Sequence, residues 1–132
     1  MNYQGRCHCG NVKFSFTMPV PIEENEVVKC NCSICTKNGY LMIYPNLSDA
    51  TFDHPKDSVQ EYRFASKMYP HFFCKSCGSS LYAKGPEGSD MLAVNIRFVE
   101  GLDIDKLKLK PFDGKNLDPD KLKREPCDRR SL

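Results

Sequence analysis

The segment Cys30-Asn31-Cys32-Ser33-Ile34-Cys35 contains three thiols within six residues, and the residues that follow it, Thr36-Lys37-Asn38-Gly39, add no fourth metal ligand. Zinc held by four protein ligands forms a closed, structural site, whereas zinc held by three keeps a position for water or substrate. The segment therefore predicts a metal site with an open position, which is the kind of site that can perform chemistry.

Two further cysteine pairs have the pattern of a zinc knuckle, in which a glycine follows the second cysteine. They are Cys7-His8-Cys9-Gly10 and Cys74-Lys75-Ser76-Cys77-Gly78. The residue after the last ligand of such a turn often needs a positive φ, which glycine adopts without steric cost. Because the central segment lacks that glycine, we pair the two knuckles into one four-sulfur site and leave the central segment as a separate three-sulfur site. Two zinc ions per chain are expected, one structural and one catalytic.

A few other residues could take part in these sites. Cys127 could close the central site and make it structural, although it lies in a charged, proline-containing segment. His8 could compete as a ligand, but the neighbouring cysteines already complete the four-sulfur site. His54 and His71 could each supply an acid or base near the open zinc, although a lone histidine beside a proline in a turn is usually structural or exposed.

The eight cysteines could alternatively form a disulfide framework, for which there are about 105 possible pairings. Residues 1–6 lack the apolar core of a secretory signal, and no apolar run approaches transmembrane length. We therefore expect a reducing compartment, the cytoplasm or the nucleus, and no membrane partner. Clustered cysteines in such a compartment are more often metal ligands than disulfide partners.

Length and composition describe one soluble globular domain, with 132 residues of which 40% are hydrophobic and 27% charged. The core of such a small domain is modest, so a structural zinc that ties residue 7 to residue 77 would help to stabilise it. The formal net charge of +2 is too small to indicate a nucleic-acid partner.

Alternation of apolar and polar residues predicts mainly β structure. Residues 2–6 and 11–16 form a hairpin that the first knuckle caps, and residues 71–73 and 81–84 form a second hairpin around the other knuckle. Residues 91–98 are the most apolar run and are expected to be a central strand. Shorter strands are expected at residues 26–29, 40–44, 50–52, 59–64 and 107–110, with one helical turn at residues 36–39 that ends at Gly39.

Three motifs occur in an order that resembles a known family. They read Gly5-x-Cys7-His8-Cys9-Gly10-x-Val12-x-Phe14, then Cys30-Asn31-Cys32-Ser33-x-Cys35-x-Lys37, then Phe73-Cys74-x-x-Cys77-Gly78-x-x-Leu81. This order resembles the glutathione-dependent formaldehyde-activating enzymes, a family that includes centromere protein V. Two later segments, Val94-Asn95-Ile96-Arg97 and Leu107-x-Leu109-x-x-Phe112-Asp113-Gly114, resemble its fungal members.

The resemblance implies a mainly β, Mss4-like fold of several coiled antiparallel β-sheets with zinc-capped hairpins. It places the zinc-binding domain at residues 1–112 and leaves residues 113–132 as a charged C-terminal tail, packed on the domain or trailing from it. Carried over by position, the structural zinc has the ligands Cys7, Cys9, Cys74 and Cys77. The catalytic zinc has the ligands Cys30, Cys32 and Cys35.

The family's activity is the condensation of glutathione with formaldehyde to S-(hydroxymethyl)glutathione, which is classed as a carbon-sulfur lyase reaction. The resemblance thus implies a zinc-dependent enzyme whose partner is a small thiol such as glutathione or its adduct. Three thiolates on Zn²⁺ leave a formal charge of about −1, so the pKa of bound water falls less than at a three-histidine site. A soft thiolate is the more suitable fourth ligand.

Lys37 is the nearest fixed positive charge in sequence to the central cysteines, and it could meet a carboxylate of the substrate or simply be a solvated surface lysine. The alternative function is a non-catalytic zinc-binding interaction module, chaperone-like or chromatin-associated, in which both zinc ions are structural. The fourth ligand at the central site distinguishes the two functions.

Overall fold

A computed structural model describes residues 1–64 and 67–116, which form ten strands, one α-helix and several short 3-10 turns. The strands are β1 (Asn2–Arg6), β2 (Lys13–Thr17), β3 (Glu26–Cys30), β4 (Met42–Ile43), β5 (Ala50–Phe52), β6 (Val59–Tyr62), β7 (His71–Cys74), β8 (Ser80–Lys84), β9 (Leu92–Asn95) and β10 (Lys108–Phe112). The helix, α1, spans Ser33–Asn38, and Gly39 ends it with a φ of 63° as the sequence predicted. It begins three residues earlier than the predicted turn.

A small antiparallel sheet in the order β1-β2-β5 contains the first predicted hairpin. Alternate residues of β1 and β2 face the interior, and the rings of Tyr3 and Phe16 stack there with centroids 5.6 Å apart. The ring of Phe14 makes an edge-to-face contact with the ring of Tyr82, which belongs to the other sheet, with centroids 5.6 Å apart. The hairpin is confirmed, and its aromatic face joins the two sheets.

A larger sheet of seven strands has the order β10-β3-β4-β9-β8-β7-β6, which places β9 at its centre. All four residues of β9 are buried, because both faces of a central strand are covered. The predicted strand at residues 91–98 is confirmed only in part, since Ile96–Phe98 form a 3-10 turn. The side chain of Asn95 causes the change by accepting a hydrogen bond from the backbone N–H of Arg97.

The last strand departs from the antiparallel expectation. β10 pairs with β3 in parallel, so that Phe112 lies beside Cys30, whereas the other strand pairs of both sheets are antiparallel. After β9 the chain passes through the 3-10 turns at Ile96–Phe98 and Ile104–Lys106. It then joins the edge of the sheet as β10, which runs in the same direction as β3. The mainly β prediction is confirmed, and the parallel pair brings the end of β10 to the central cysteines.

Different parts of the chain pack on the two faces of the large sheet. Leu92 and Val94 point into the main core, which they share with the aromatic residues of the small sheet. On the opposite face, Ala93 belongs to a small buried cluster against which Ile34 and Cys35 of α1 pack. The central cysteine segment is therefore held on the face away from the small sheet. No helix in the described ranges is long and apolar enough to cross a membrane.

Candidate metal centres

Four thiols from the two knuckles meet at the ends of the two predicted hairpins. The ligand atoms of Cys7, Cys9, Cys74 and Cys77 all lie within 4.8 Å of one another. The Cys9 sulfur is 3.5 Å from that of Cys7 and 3.6 Å from that of Cys74. A tetrahedral zinc with bonds of about 2.3 Å sets its sulfurs about 3.8 Å apart, so the spacing of these thiols suits a four-sulfur metal site.

Backbone hydrogen bonds shape the first knuckle. The amide of Val12 donates to the sulfur of Cys7 over 3.3 Å, and the amide of Gly10 donates to the Cys7 carbonyl over 3.1 Å. Gly10 has a φ of 84° and Gly78, in the second knuckle, one of 77°. The positive φ predicted at both glycines is confirmed, and it lets the chain turn back sharply after the second cysteine of each pair.

Side-chain bonds link the two knuckles to each other across more than sixty residues of sequence. The amide of His8 donates to the hydroxyl of Ser79 over 3.2 Å, and Asn11 donates to the hydroxyl of Ser76 over the same distance. The hydroxyl of Ser79 also lies 3.1 Å from the Cys77 sulfur. The ring of His8 is not part of the four-sulfur group, which is formed by cysteines alone.

Three thiols of the central segment form the second cluster. Cys30 ends β3, Cys32 precedes α1, and Cys35 lies in the first turn of α1, with all three half-buried and their sulfurs within 4.8 Å of one another. The amide of Cys32 donates to the Cys30 sulfur over 3.4 Å. Among the residues that the structure describes, no fourth histidine, cysteine or carboxylate joins this group. Cys127 lies outside the described residues.

The three central thiols disfavour one another's ionisation, because they lie close together and share hydrogen bonds. Hydrogen bonds from the Cys35 thiol and from the amides of Cys35 and Ile34 lower the pKa of Cys32 to about 5. Donation to Cys32, followed by burial, raises the pKa of Cys35. Burial also raises the pKa of Cys30, against backbone hydrogen bonds from Cys32 and Gly114. A soft divalent cation would relieve this conflict, because thiolates are the ligands that such ions prefer.

Residues 112–115 are packed directly against the central cluster. The amide of Asn31 donates to the Phe112 carbonyl over 3.0 Å, and the Asn31 side chain donates to Asp113 over 2.9 Å and accepts from the Lys115 amide over 3.0 Å. A Cβ atom at Gly114 would overlap the Cys30 sulfur. The start of the predicted tail therefore covers the cluster, while residues 117–132 lie outside the described ranges.

A cleft of about 380 Å³ opens beside the central cluster. Ten residues line it: Lys29, Cys30, Asn31, Cys35, Thr36, Gly39, Tyr40, Leu41, Arg97 and Pro111. Lys37, the predicted partner of a substrate carboxylate, is exposed on α1 and is not among the lining residues. Arg97 belongs to the family-like segment Val94-Asn95-Ile96-Arg97, but its position in the sequence did not indicate a role at this site.

The other two histidines occupy structural positions in the described chain. The Nδ1 atom of His54 lies 3.0 Å from the hydroxyl of Ser58, and its Nε2 atom lies 3.4 Å from the hydroxyl of Tyr82. The ring of His71 stacks on Tyr40 with centroids 5.7 Å apart. Neither histidine lines the cleft beside the central cysteines. A role for either one as an acid or base there gains no support from their positions.

Two sequence comparisons identify relatives of this chain. The sequence profile of the family described as glutathione-dependent formaldehyde-activating enzyme matches residues 2–112. A Halomonas elongata protein, provisionally named as such an enzyme, is 30% identical over 101 residues. The alignment covers 70% of this chain and 62% of that protein, so the chain spans less than two thirds of that relative's length.

A solved structure supports the fold independently of the sequence profile. The crystal structure of a Rhodobacter sphaeroides protein matches with a TM-score of 0.70 at 23% sequence identity. The match covers 81% of this chain and 99% of that chain. The chain therefore shares the fold of that protein, in keeping with the mainly β fold that the family resemblance implies.

Proposed function

This chain belongs to the glutathione-dependent formaldehyde-activating enzyme family, and from that premise we propose that it is a zinc-dependent enzyme of the carbon-sulfur lyase type. Its substrate would be a thiol adduct, and its reaction the formation or cleavage of S-(hydroxymethyl)glutathione from glutathione and formaldehyde. The observation that carries the proposal is the central cluster, where three cysteine sulfurs lie together beside a cleft large enough for part of a small peptide.

The two cysteine clusters have different roles in this proposal. Cys7, Cys9, Cys74 and Cys77 would hold a zinc ion that fastens the two hairpins together. Cys30, Cys32 and Cys35 would hold the second zinc, which when bound keeps a thiol deprotonated near neutral pH and places its sulfur beside an electrophilic carbon. The contrast between four and three ligands among the described residues is what separates a closed site from a reactive one.

The surrounding residues of the chain prepare the central site for this chemistry. The backbone N–H of Cys32 donates to the sulfur of Cys30 over 3.4 Å, which helps to hold that sulfur in place. Leu41 and Pro111 supply apolar walls to the cleft. Apolar walls reduce the number of water molecules that compete with a bound thiol.

The proposed reaction is an addition that needs no further reactant. The sulfur of glutathione forms a bond to the carbon of formaldehyde, and the π electrons of the carbonyl move onto its oxygen. The proton lost by the thiol ends on that oxygen, which gives S-(hydroxymethyl)glutathione. Cleavage reverses these steps. No separate protein base is required if the thiol is already deprotonated when it reaches the carbon.

We also propose that the enzyme works in a reducing compartment, the cytoplasm or the nucleus, and that it acts without nucleic acid. Both proposed metal sites need their cysteines as reduced thiols, which such a compartment maintains. Lys37 remains a proposed contact for a substrate carboxylate, from its position on α1 close to Cys35 in sequence.

Cobalt substitution tests the proposed site. Adding glutathione to the cobalt-loaded protein should intensify the sulfur-to-metal charge-transfer absorption, because a fourth thiolate joins the three of the central cluster. S-methylglutathione is the matched control ligand, since it has the same shape and charges but no free thiol. Cys32→Ser should abolish the glutathione response, and Lys56→Gln, a change at an exposed residue beside β6, should leave it intact.

Activity is tested separately by the exchange of ¹³C-formaldehyde between the free and adduct forms, observed by NMR. The wild-type protein should accelerate the exchange, and Cys32→Ser should return it to the rate in buffer. A central site that already reports four protein ligands, gives no spectral response to thiols and does not accelerate exchange would refute the proposal. That result would favour the interaction module instead.

A further inference from the structure

The cleft beside the central cysteines has a one-sided charge. Two of its ten lining residues, Lys29 and Arg97, are cations, and none of the ten is acidic. Neither cation takes part in the ion pairs found among the described residues. Glu26, on the same strand as Lys29, is paired with Lys110 at 3.7 Å, and Asp113 accepts a hydrogen bond from the lining residue Asn31 over 2.9 Å. The positive charge of the cleft is therefore available to a ligand.

Arg97 is held in place at the cleft by three local constraints. Its Nε atom donates to the carbonyl of Gly39 over 2.7 Å, and its backbone amide donates to the side chain of Asn95 over 3.3 Å. Asn95 is itself buried and donates to the carbonyl of Ser80 over 3.0 Å. The amide of Ile96, the preceding residue, donates to the carbonyl of Leu41 over 2.9 Å.

These constraints suit the binding of an anion. The bond from Nε to Gly39 fixes the guanidinium plane at the helix end, which reduces the entropy that a bound anion would otherwise cost. A planar guanidinium has five donors and can bind a carboxylate through two parallel hydrogen bonds. Lys29 adds a more flexible cation from the last part of β3, one residue before Cys30.

The charge of the cluster makes such cations useful. Three thiolates around one divalent cation carry a net charge of about −1, so a negatively charged thiol approaching them is repelled. Glutathione has two carboxylates and one ammonium group, and it becomes more negative when its thiol ionises. Cations at the rim of the cleft would offset this repulsion and attract the carboxylates.

We propose that Arg97, assisted by Lys29, is the carboxylate-binding residue that makes the central site select anionic thiols over neutral ones. The inference rests on the proposed function, because it assumes that a thiol is the ligand of this site. It differs from the sequence-based expectation for Lys37, which is exposed on α1 and does not line the cleft. Arg97 lies 58 residues from Gly39 in sequence, so only the fold brings it to the cluster.

A titration of cobalt-loaded protein with three thiols tests the selection. The probes are glutathione, its diethyl ester, which lacks both carboxylates, and 2-mercaptoethanol, which is neutral. Arg97→Gln should weaken glutathione binding about three- to fivefold, the upper part of the range for an ion pair at an exposed site, and Lys29→Gln should weaken it less. Both variants should change the affinities for the ester and for 2-mercaptoethanol less than about twofold. Lys56→Gln serves as the charge-matched control at an exposed site beside β6.

Three results of this titration would overturn the inference: equal losses for all three thiols in Arg97→Gln, no loss for glutathione, or a loss in Lys37→Gln with none in Arg97→Gln. Added salt should reduce the wild-type preference for glutathione over its ester, because screening weakens contacts between exposed charges. A preference that is independent of salt would also count against Arg97.

A second measurement separates this inference from the proposed function. S-methylglutathione keeps both carboxylates but cannot place a thiolate on a metal, and its binding can be followed by calorimetry. Binding that is weakened by Arg97→Gln, together with no spectral response to any thiol, would support the carboxylate site and refute the thiol chemistry. A spectral response to thiols with no dependence on Arg97 in either experiment would support the chemistry and refute the carboxylate site.

Discussion

Replacing His71 with phenylalanine should remove a pH dependence from the stability of the fold. The imidazole ring lies between Tyr40, on which it stacks at 5.7 Å with an interplanar angle of 8°, and Phe64, whose ring is 5.4 Å away and tilted by 38°. Its Nδ1 atom is buried and has no hydrogen-bond partner within the described ranges. Burial lowers the pKa of His71 from 6.5 to about 4. A phenyl ring keeps the stacking and cannot take up a proton.

The sign of the effect follows from which state binds the proton. Between pH 6.5 and about 4 the unfolded chain protonates this histidine and the folded chain does not, so stability is fully present above pH 6.5 and falls as the pH is lowered. The two pKa values limit the total loss to about 3.4 kcal/mol. Most of it, about 2 kcal/mol, should occur between pH 7.5 and pH 5.

Denaturant unfolding of the wild type and of His71→Phe across this pH range measures the effect. The free energy of unfolding of the variant minus that of the wild type should increase by about 2 kcal/mol on going from pH 7.5 to pH 5. Acid also protonates the cysteines, so metal content is determined in every sample, and the loss common to both proteins cancels in the difference. A difference that stays constant across the range would refute the burial of a neutral imidazole at this position.

Three other outcomes are expected. Protein purified under reducing conditions should contain about two zinc ions per chain by elemental analysis, because the clustered thiols divide into four and three; a reproducible value near one would contradict two sites. Cys77→Ser should lower the unfolding temperature strongly, since structural zinc contributes on the order of 10 kcal/mol of apparent binding energy. Cys32→Ser should instead reduce activity more than stability. The reverse order would refute the assignment of Cys77 to the structural site and Cys32 to the reactive one. Gly114→Ala should destabilise the central site by about 1–3 kcal/mol, because the new Cβ would overlap the Cys30 sulfur. The rate of metal release to a chelator measures this effect. An unchanged rate would show that residues 113–115 do not support the cluster.

The turn that holds each knuckle pair could be predicted from the sequence because it depends on short-range geometry. A cysteine pair separated by one or two residues can present both sulfurs to one ion only through a tight turn, and the glycines at positions 10 and 78 mark those turns with φ values of 84° and 77°. The hairpins around the two turns also have a local cause, since alternating apolar residues bury one face of each strand. Neither feature needs information about distant parts of the chain.

The surroundings of the central cluster could not be predicted in this way. Lys37 was the natural candidate for a cation because it is close in sequence, yet Arg97 lines the cleft, and it is fixed by a bond to Gly39 across 58 residues. Asp113 and Lys115 likewise reach Asn31 across 82 and 84 residues. The local pattern around these residues predicts an exposed turn and a charged tail and carries no sign of the cluster.

The parallel pairing of β10 with β3 shows why the knuckles and hairpins could be predicted from the sequence and the surroundings of the central cluster could not. Five residues of β10, all of them exposed, have no buried face that would indicate a partner strand or a direction. Their place is decided by the edge of β3 that remains open once the core around β9 has formed. Cysteine spacing and alternation are set by covalent geometry over a few residues, and they define the candidate metal ligands and the strands. The cations and amides that surround the central thiols are placed by the packing of the whole sheet, whose energy is shared among residues far apart in the chain.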